Sequence, residues 1–178
     1  GREVSLILFA DGKSCAPMPP ARDHKRIGEG DTGANTGGMG VITDSALLSE
    51  EQTKEIIEKI IEPTLQGCRL EGFKFRGILF LGLMMTADAG AQVLEYNVRF
   101  GDPETQAILI RLETDLVEIC EAILAQKLDK IKIEWRPGSS ACVILASEGY
   151  PAKARTGDVI HGLDVTGAME NIFVYHAG

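Results

Sequence analysis

The sequence predicts an α+β protein in which helices pack on a mainly antiparallel sheet. Short apolar runs with period-two alternation are joined by turn signals, as in antiparallel hairpins. Between these runs, apolar residues recur at helical spacing. The chain has 178 residues, of which 44% are hydrophobic and 25% charged, a composition typical of a globular protein that buries a core.

The first predicted element is a β-hairpin. Two apolar runs, residues 3–11 and 13–18, meet at Asp11-Gly12, a dipeptide that favours a two-residue turn. From Pro19 to Gly40 the chain is first polar and basic and then rich in glycine. This stretch predicts a long loop, and a loop of that length is usually functional or mobile.

The middle of the chain alternates helices and strands. Ser49 and Gln52 fit a capping box, in which each residue satisfies the other's backbone N–H at a helix start. The predicted elements here are a helix from Ser49 to Gly67, a hairpin of strands 77–85 and 91–97, and two consecutive helices after Asp102-Pro103.

Beyond Lys127 the pattern changes to short strands separated by turn signals. The predicted strands cover residues 131–135, 141–146, 159–163 and 172–176. We therefore predict two domains, 1–127 and 128–178, of which the second is mostly β.

The composition restricts the kinds of partner and compartment. A net charge of -8 argues against a general nucleic-acid or membrane-surface binder, because those partners are also anionic. With no apolar span of about 18 residues and no signal-peptide pattern, we expect a soluble, cytoplasmic protein. The four cysteines lack metal-ligand spacing. The chain opens directly in a strand pattern without Met, which indicates the middle of a longer protein.

The sharpest chemical signal is a polar strand face that leads into a helix start. Because alternate strand residues share a face, Glu95, Asn97 and Arg99 are expected to point the same way. Carboxylate and amide oxygens suit Mg²⁺, and a guanidinium can grip a phosphoryl or carboxylate group. Asp102 and Glu104 follow at the helix start, where anions are favoured. The ordinary alternatives are a half-solvated strand, a helix cap and a first-turn acid.

A second signal combines basic residues with glycines. Arg22, Lys25 and Arg26 lie within five residues, just before the glycine-rich segment 28–40. A basic cluster beside a glycine-rich segment can hold nucleotide phosphates through its side chains and backbone N–H groups. The ordinary alternative is a solvated surface loop. The segment is neither a Walker A loop nor a dinucleotide fingerprint, since neither pattern is completed.

Three segments resemble the signature segments of the glycinamide ribonucleotide synthetases, which are ATP-grasp ligases. The resemblance runs in the same order over essentially the whole chain and is carried by residues 23–26, 35–40 and 94–106. It implies the carboxy-terminal subdomain of an ATP-grasp domain, followed by a small, mostly β carboxy-terminal domain.

The resemblance also implies a reaction and its participants. Glycine would be joined to 5-phosphoribosylamine while ATP becomes ADP and phosphate, through glycyl phosphate, and the enzyme's amino-terminal domains would be partners of this piece. The implied residue roles are metal ligands for Mg²⁺ or Mn²⁺ (Glu95, Asn97), catalysis (Arg99, Lys25), substrate binding (Asp23, Asp102, Glu104) and ATP binding (Glu3, Lys25, Arg26, Gly37, Gly38).

Two alternative functions remain open. The chain could belong to another ATP-grasp carboxylate–amine ligase, or it could be a non-catalytic nucleotide-binding module. One departure from the wider ATP-grasp pattern also matters, because Leu81-Gly82-Leu83 is apolar where those enzymes tend to carry an acidic metal ligand. A second metal position is therefore not carried over.

Overall fold

The computed structural model describes residues 1–177 and divides into two compact units, Gly1–Ile144 and a second that begins at Leu145. The strands are β1 Arg2–Ala10, β2 Cys15–Pro17, β3 Ala21–Asp23, β4 Arg26–Gly28, β5 Thr32–Asn35, β6 Gly40–Thr43, β7 Gly77–Thr86, β8 Gly90–Asn97 and β9 Ser140–Val143. The helices are α1 Glu50–Ile56, α2 Glu62–Leu70, α3 Glu104–Leu109, α4 Leu116–Ala125 and α5 Leu163–Gly167.

The first unit is built on one seven-stranded sheet. Its strands follow the order β8-β7-β1-β3-β6-β9, and β2 pairs with β1 beside this path. Every pair is antiparallel. The predicted α+β class with an antiparallel sheet is confirmed.

Strand β1 is central because both of its faces are buried. Leu6 packs on one side with Ile61, from the helical segment that joins α1 to α2. Ile7 and Phe9 pack on the other side with Ile119 of α4. Burying a side chain of this size contributes about 1.5–3 kcal/mol. This two-sided burial explains why the strand reads as a nearly continuous apolar run rather than a strict alternation.

The first hairpin forms, but its turn differs from the predicted one. Ala10 pairs with Cys15, so residues 11–14 make the connection and the predicted two-residue turn is wrong. The Asp11 carboxylate accepts hydrogen bonds from the N–H groups of Lys13 and Ser14, at 2.8 and 2.7 Å. The longer loop wraps around that carboxylate.

The predicted loop over residues 19–40 contains three short strands. β3 joins the main sheet between β1 and β6, while β4 and β5 form a separate hairpin. Strands of three or four residues are too short for a period-two pattern to reveal, because their pairing is decided by the neighbouring strands.

The capping box at Ser49 and Gln52 is confirmed, with both reciprocal hydrogen bonds present. The helix then passes through a π-helical segment, Ile57–Ile61, and ends at Leu70, beyond the predicted Gly67. The second hairpin, β7–β8, and the two helices α3 and α4 also form as predicted.

The tail differs most from its prediction. β9 pairs with β6 in the main sheet, so the predicted domain boundary near residue 127 falls inside the first compact unit. Residues 131–135 make only an isolated bridge, from Trp135 to Leu112. Between residues 145 and 177 the structure holds α5, and the predicted strands 159–163 and 172–176 do not form. A strand is stable only when it is paired with a neighbour or packed on a core. The apolar side chains of these two segments are instead exposed, such as Phe173 at 63%.

No helix among the described residues has the length and apolar character needed to cross a membrane.

Candidate active site

A small cavity opens on one face of the sheet in the first unit, with a volume of about 170 Å³. It lies where β1, β3, β7 and β8 come side by side. Its wall carries three carboxylates, one ammonium group and one hydroxyl beside apolar side chains. The lining residues are Glu3, Val4, Ser5, Asp23, Lys25, Phe80, Gly82, Leu83, Leu94 and Glu95.

Strand register explains why these side chains share a face. Ser5 of β1 lies opposite Gly82 of β7, which in turn lies opposite Glu95 of β8. Glu3, two residues before Ser5, points to the same side because side chains alternate along a strand. Asn97 shares the face with Glu95 by the same rule, at the position opposite Phe80.

Gly82 leaves room for the Glu95 side chain. A methyl group on Gly82 would lie 3.0 Å from Glu95 Cγ and 3.6 Å from Oε1. The Glu95 side chain therefore lies over the bare backbone of β7. The apolar Leu81-Gly82-Leu83 segment thus serves the site by lacking a side chain at its middle position.

Lys25 supplies the positive charge of the cavity. Its Nζ lies 3.6 Å from Glu3 Oε2, and about half of each side chain is exposed. An exposed ion pair of this kind contributes little to stability. The ammonium group of Lys25 is accordingly able to exchange the carboxylate for an anionic ligand.

Asp23 is the most perturbed acid in the site. Burial, followed by the nearby negative charge of Glu104, raises the pKa of Asp23 to about 6. Its Oδ1 atom is buried and has no hydrogen-bond partner among the described residues. A buried acceptor without a donor is uncommon in a folded protein and is often completed by a ligand or water.

Glu104 stands behind the cavity wall. It is the first residue of α3, is 4% exposed, and accepts a hydrogen bond of 2.9 Å from the Ser5 hydroxyl. It is absent from the cavity lining. The structure therefore places this predicted substrate-binding residue next to the site and out of its wall.

Other predicted residues lie around the site and not in its lining. Arg99 is exposed, and its guanidinium donates to the backbone oxygen of Phe100 at 2.9 Å. Asp102 is exposed and accepts from Gln106 Nε2 at 2.7 Å. Asn97 also stays outside the lining. The convergence of Glu95, Asn97 and Arg99 on one cation stays a prediction.

The predicted ATP-binding residues fall into two places. Arg26 donates from its guanidinium to the Gly33 oxygen at 2.6 Å, which closes the β4–β5 hairpin. Gly38 is buried against Asp23, whose Oδ1 would lie 2.8 Å from a methyl group placed on that glycine. Gly37 is exposed beside it.

Ser5 and Gly82 are lining residues that shape the site and are not among the residues predicted from the sequence. Ser5 is a polar residue inside the apolar run of β1, two positions after Glu3, and this interruption was a usable signal. Gly82 carried no local signal, because its role depends on its partner in β8.

The donor set at this face fits a hard divalent cation. Mg²⁺ usually takes one or two protein ligands and completes its shell with water and substrate phosphates. Glu95 and Asn97 offer such a pair on one strand face. Across residues 1–177 no three acids, histidines or cysteines come together as a complete protein cage, so an ion bound here would complete its shell with water or ligand oxygens.

Known proteins match this chain over most or all of its length. The family model described as phosphoribosylglycinamide synthetase, ATP-grasp (A) domain, matches residues 1–105. A phosphoribosylamine–glycine ligase of Vibrio parahaemolyticus is 45% identical over 178 residues, which is 100% of this chain and 41% of that protein. The chain thus spans about two fifths of the length of that curated relative.

Solved structures show the same fold. The crystal structure of a phosphoribosylamine–glycine ligase from Thermotoga maritima has a TM-score of 0.72 and 37% identity, covering 85% of this chain and 37% of that one. The biotin carboxylase domain of a thermophilic 2-oxoglutarate carboxylase has a TM-score of 0.51 and 14% identity, covering 79% and 29%. At such low identity the second likeness shows a shared fold alone.

Proposed function

The chain belongs to the phosphoribosylglycinamide synthetase ATP-grasp family, and from this premise we propose that it is part of a ligase that joins glycine to 5-phosphoribosylamine. ATP becomes ADP and phosphate, and glycyl phosphate is the intermediate. The reaction forms a carbon–nitrogen bond in purine biosynthesis. The observation that carries the proposal is the cavity in which Lys25 and three carboxylates meet on one sheet face.

Glu95 and Asn97 are the residues that would hold Mg²⁺ or Mn²⁺. Gly82 supports this role because it leaves the Glu95 carboxylate free to lie over β7. When bound, such an ion neutralises charge on the phosphate oxygens of ATP. An amide and a single acid leave most of the ion's coordination shell to those oxygens.

Lys25 acts on the phosphoryl group that is transferred. Its half-exposed ammonium leaves Glu3, 3.6 Å away, and pairs with phosphate oxygens, so that negative charge spreading in the transfer is balanced. Arg99 has the same role once its guanidinium turns from the Phe100 oxygen toward the ligand. Both residues orient the phosphoryl group more than they bind it tightly.

The remaining ligand contacts divide between the nucleotide and the other substrates. Glu3, Arg26, Gly37 and Gly38 contact ATP. The substrate-binding residues are Asp23, Asp102 and Glu104. Asp23 is the one that lines the cavity, while Glu104 lies behind it.

The β4–β5 hairpin and the glycines that follow it cover the site during the reaction. An acyl phosphate reacts readily with water, so a cover that excludes water protects it. The hairpin is exposed along β5 and forms its own two-stranded sheet, which no strand of the main sheet joins.

This chain works with the rest of the same enzyme. We propose that residues 1–127 are the carboxy-terminal part of the ATP-grasp domain, that 128–178 begin a small carboxy-terminal domain, and that amino-terminal domains complete the substrate sites. The enzyme acts on small molecules in the cytoplasm. The isolated chain is expected to be inactive.

The proposal is tested in the intact enzyme with Glu95→Ala. Glycine- and phosphoribosylamine-dependent ADP release should fall by at least 100-fold, a loss typical when a residue that orients the reacting groups is removed. Glu121→Ala, an exposed acid on α4, is the matched control and should keep full activity. Unchanged turnover of Glu95→Ala at saturating magnesium would remove the metal assignment. ADP release that another carboxylic acid supports better than glycine would remove the substrate.

A further inference from the structure

Tyr96 lies between the two residues proposed to hold the metal, but its side chain points to the other face of the sheet. Glu95 and Asn97 share the cavity face, and side chains alternate along a strand, so Tyr96 faces the helices. There its hydroxyl oxygen lies 2.8 Å from Oγ1 of Thr64 in α2. A hydrogen bond therefore joins β8 to the helix behind it.

The direction of this hydrogen bond follows from a second contact of Thr64. The Thr64 hydroxyl donates to the backbone oxygen of Ile60 at 2.7 Å. Because a hydroxyl has a single proton to donate, Thr64 Oγ1 accepts from Tyr96, whose hydroxyl is the donor. Ile60 belongs to the π-helical segment Ile57–Ile61. The two hydrogen bonds thus run in series from β8 to a backbone atom of the helical layer.

Strand β8 has few other restraints because it is an edge strand of the sheet. It pairs with β7 alone. Its register also shifts, since Gly82 pairs with Glu95 while Leu83 pairs with Val93, which leaves Leu94 as the extra residue of a bulge. A bulge bends a strand and changes the direction of the side chains beside it. The Tyr96–Thr64 hydrogen bond holds the strand from behind directly after this bulge.

We propose that Tyr96 is a positioning residue, which acts through Thr64 to keep Glu95 and Asn97 oriented toward one divalent cation. Tyr96 does not touch the cation, because its side chain lies on the opposite face of the sheet. The cation at Glu95 and Asn97 rests on the proposed function. The hydrogen bond and the edge position of β8 do not depend on it.

Tyr96→Phe in the intact enzyme removes the hydroxyl and keeps the ring. The side chain of Tyr96 is 45% exposed, so the fold should lose little, with a fall in Tm of about 4 °C or less. The dissociation constant for Mn²⁺ in the presence of ATP, measured by electron paramagnetic resonance of the free ion, should rise about two- to fivefold. Amide hydrogen exchange over residues 93–98 should become faster, because β8 is less restrained.

A double-mutant cycle tests whether Tyr96 acts through Thr64. Thr64→Val removes the acceptor and should raise the Mn²⁺ dissociation constant by the same factor as Tyr96→Phe. The double variant should bind Mn²⁺ no more weakly than either single one, since both substitutions break one hydrogen bond. Thr64→Ser keeps the hydroxyl and should retain wild-type binding. Tyr175→Phe, which removes an exposed hydroxyl in the second unit, is the matched control and should change nothing.

The outcomes separate this inference from a merely structural role and from the proposed reaction. Wild-type Mn²⁺ binding in folded Tyr96→Phe overturns the inference, even if that variant is less stable. Fully additive losses in the double variant also overturn it, because the two residues would then act independently. If Thr64→Val does not fold, Tyr96→Phe decides by its Mn²⁺ binding and hydrogen exchange. Wild-type enzyme that binds Mn²⁺ and ATP without glycine-dependent turnover would remove the proposed reaction, while a weaker Mn²⁺ affinity of Tyr96→Phe would still support the positioning role.

Discussion

Gly82 and Glu95 are direct partners across β7 and β8, and the bare Cα of the glycine is what leaves space for the glutamate side chain. Gly82 has no side chain that could bind a ligand, but its small size gives space to Glu95, the residue proposed to hold the metal.

Gly82→Ala is expected to impair metal use more than stability. The added methyl would lie 3.0 Å from Glu95 Cγ, so the exposed glutamate must shift. Unfolding free energy should change by less than about 1 kcal/mol, as an exposed side chain can move at little cost. The Mg²⁺ concentration for half-maximal activity should rise several-fold, measured by titrating the metal at fixed ATP.

Gly67→Ala is the matched control for that substitution. Gly67 lies inside α2, and nothing lies within 4 Å of the added methyl. Alanine favours a helix over glycine, so the variant should be about 0.5–1 kcal/mol more stable, with an unchanged metal requirement. An equal metal defect in both variants would contradict the role of Gly82.

Gly38→Ala is expected to be the most damaging glycine substitution near the site. Gly38 has a φ of +128°, and the added methyl would lie 2.5 Å from Pro103 Cδ and 2.8 Å from Asp23 Oδ1. Strain and collision together should displace the backbone that packs on Asp23. We expect at least a tenfold loss of kcat/KM for glycine and about 1–3 kcal/mol of destabilisation, measured by steady-state kinetics and denaturant unfolding.

Gly30→Ala separates strain from collision. Gly30 also has a positive φ, +66°, but has open space around it. It should lose about 1–2 kcal/mol and keep most activity, because alanine is strained in this left-handed region but its methyl group meets no neighbour. Similar kinetic losses in both variants would show that contact with Asp23 is irrelevant.

Asp11→Asn should destabilise the protein at neutral pH. Burial alone raises the pKa of Asp11, yet the N–H groups of Ser14, Lys13 and Leu128 hold it below its usual value. An asparagine amide would turn a donor toward the Leu128 N–H, which donates to Oδ2 at 3.1 Å in the wild type. The expected cost is about 2–3 kcal/mol in denaturant unfolding at pH 7.

The pH dependence of that cost has a definite sign. A carboxylate with a lowered folded pKa stabilises the protein above its unfolded pKa of about 4, and this contribution disappears as the pH falls through the folded value. The gap between wild type and Asp11→Asn should therefore shrink below about pH 4. Asp115→Asn, at the exposed cap of α4, should change stability by less than about 0.5 kcal/mol, since asparagine caps equally well. A gap that widens in acid would contradict the role of Asp11.

Ser49→Ala should weaken the long helical segment without affecting catalysis. The Ser49 side chain accepts from the Gln52 N–H at 3.2 Å as one half of the capping box. Its loss should cost about 1 kcal/mol by thermal unfolding, with unchanged kinetics. Ser45→Ala, at a nearby exposed position that caps no helix, should be neutral. Equal effects of the two would mean that the capping box adds nothing here.

The sequence predicted the parts of the fold that are encoded locally. The Ser49 capping box, the β7–β8 hairpin and helices α3 and α4 all follow from residue spacing and cap chemistry within a few positions. Family membership was also readable, because three signature segments occur in order along the chain.

What the sequence could not predict depends on contacts between distant residues. No local pattern indicated the short strand β3, which exists through its pairing with β1 and β6. The strand predicted at residues 141–146 does form, as β9, but its place beside β6 in the main sheet depends on that distant partner. The domain boundary near residue 127 stays a prediction, and the first compact unit extends to Ile144.

The sequence by itself determined the chemical types available to the site, an acid and an amide on one strand and a lysine on a basic segment, and the α+β elements that carry them. Only the tertiary structure decided that Glu104 lies behind Asp23, that Gly82 makes room for Glu95, and that Ser5 joins them. The physical reason is that a residue's type sets which interactions it can make, while burial and strand register, which arise only when distant segments pack, decide which of them it does make.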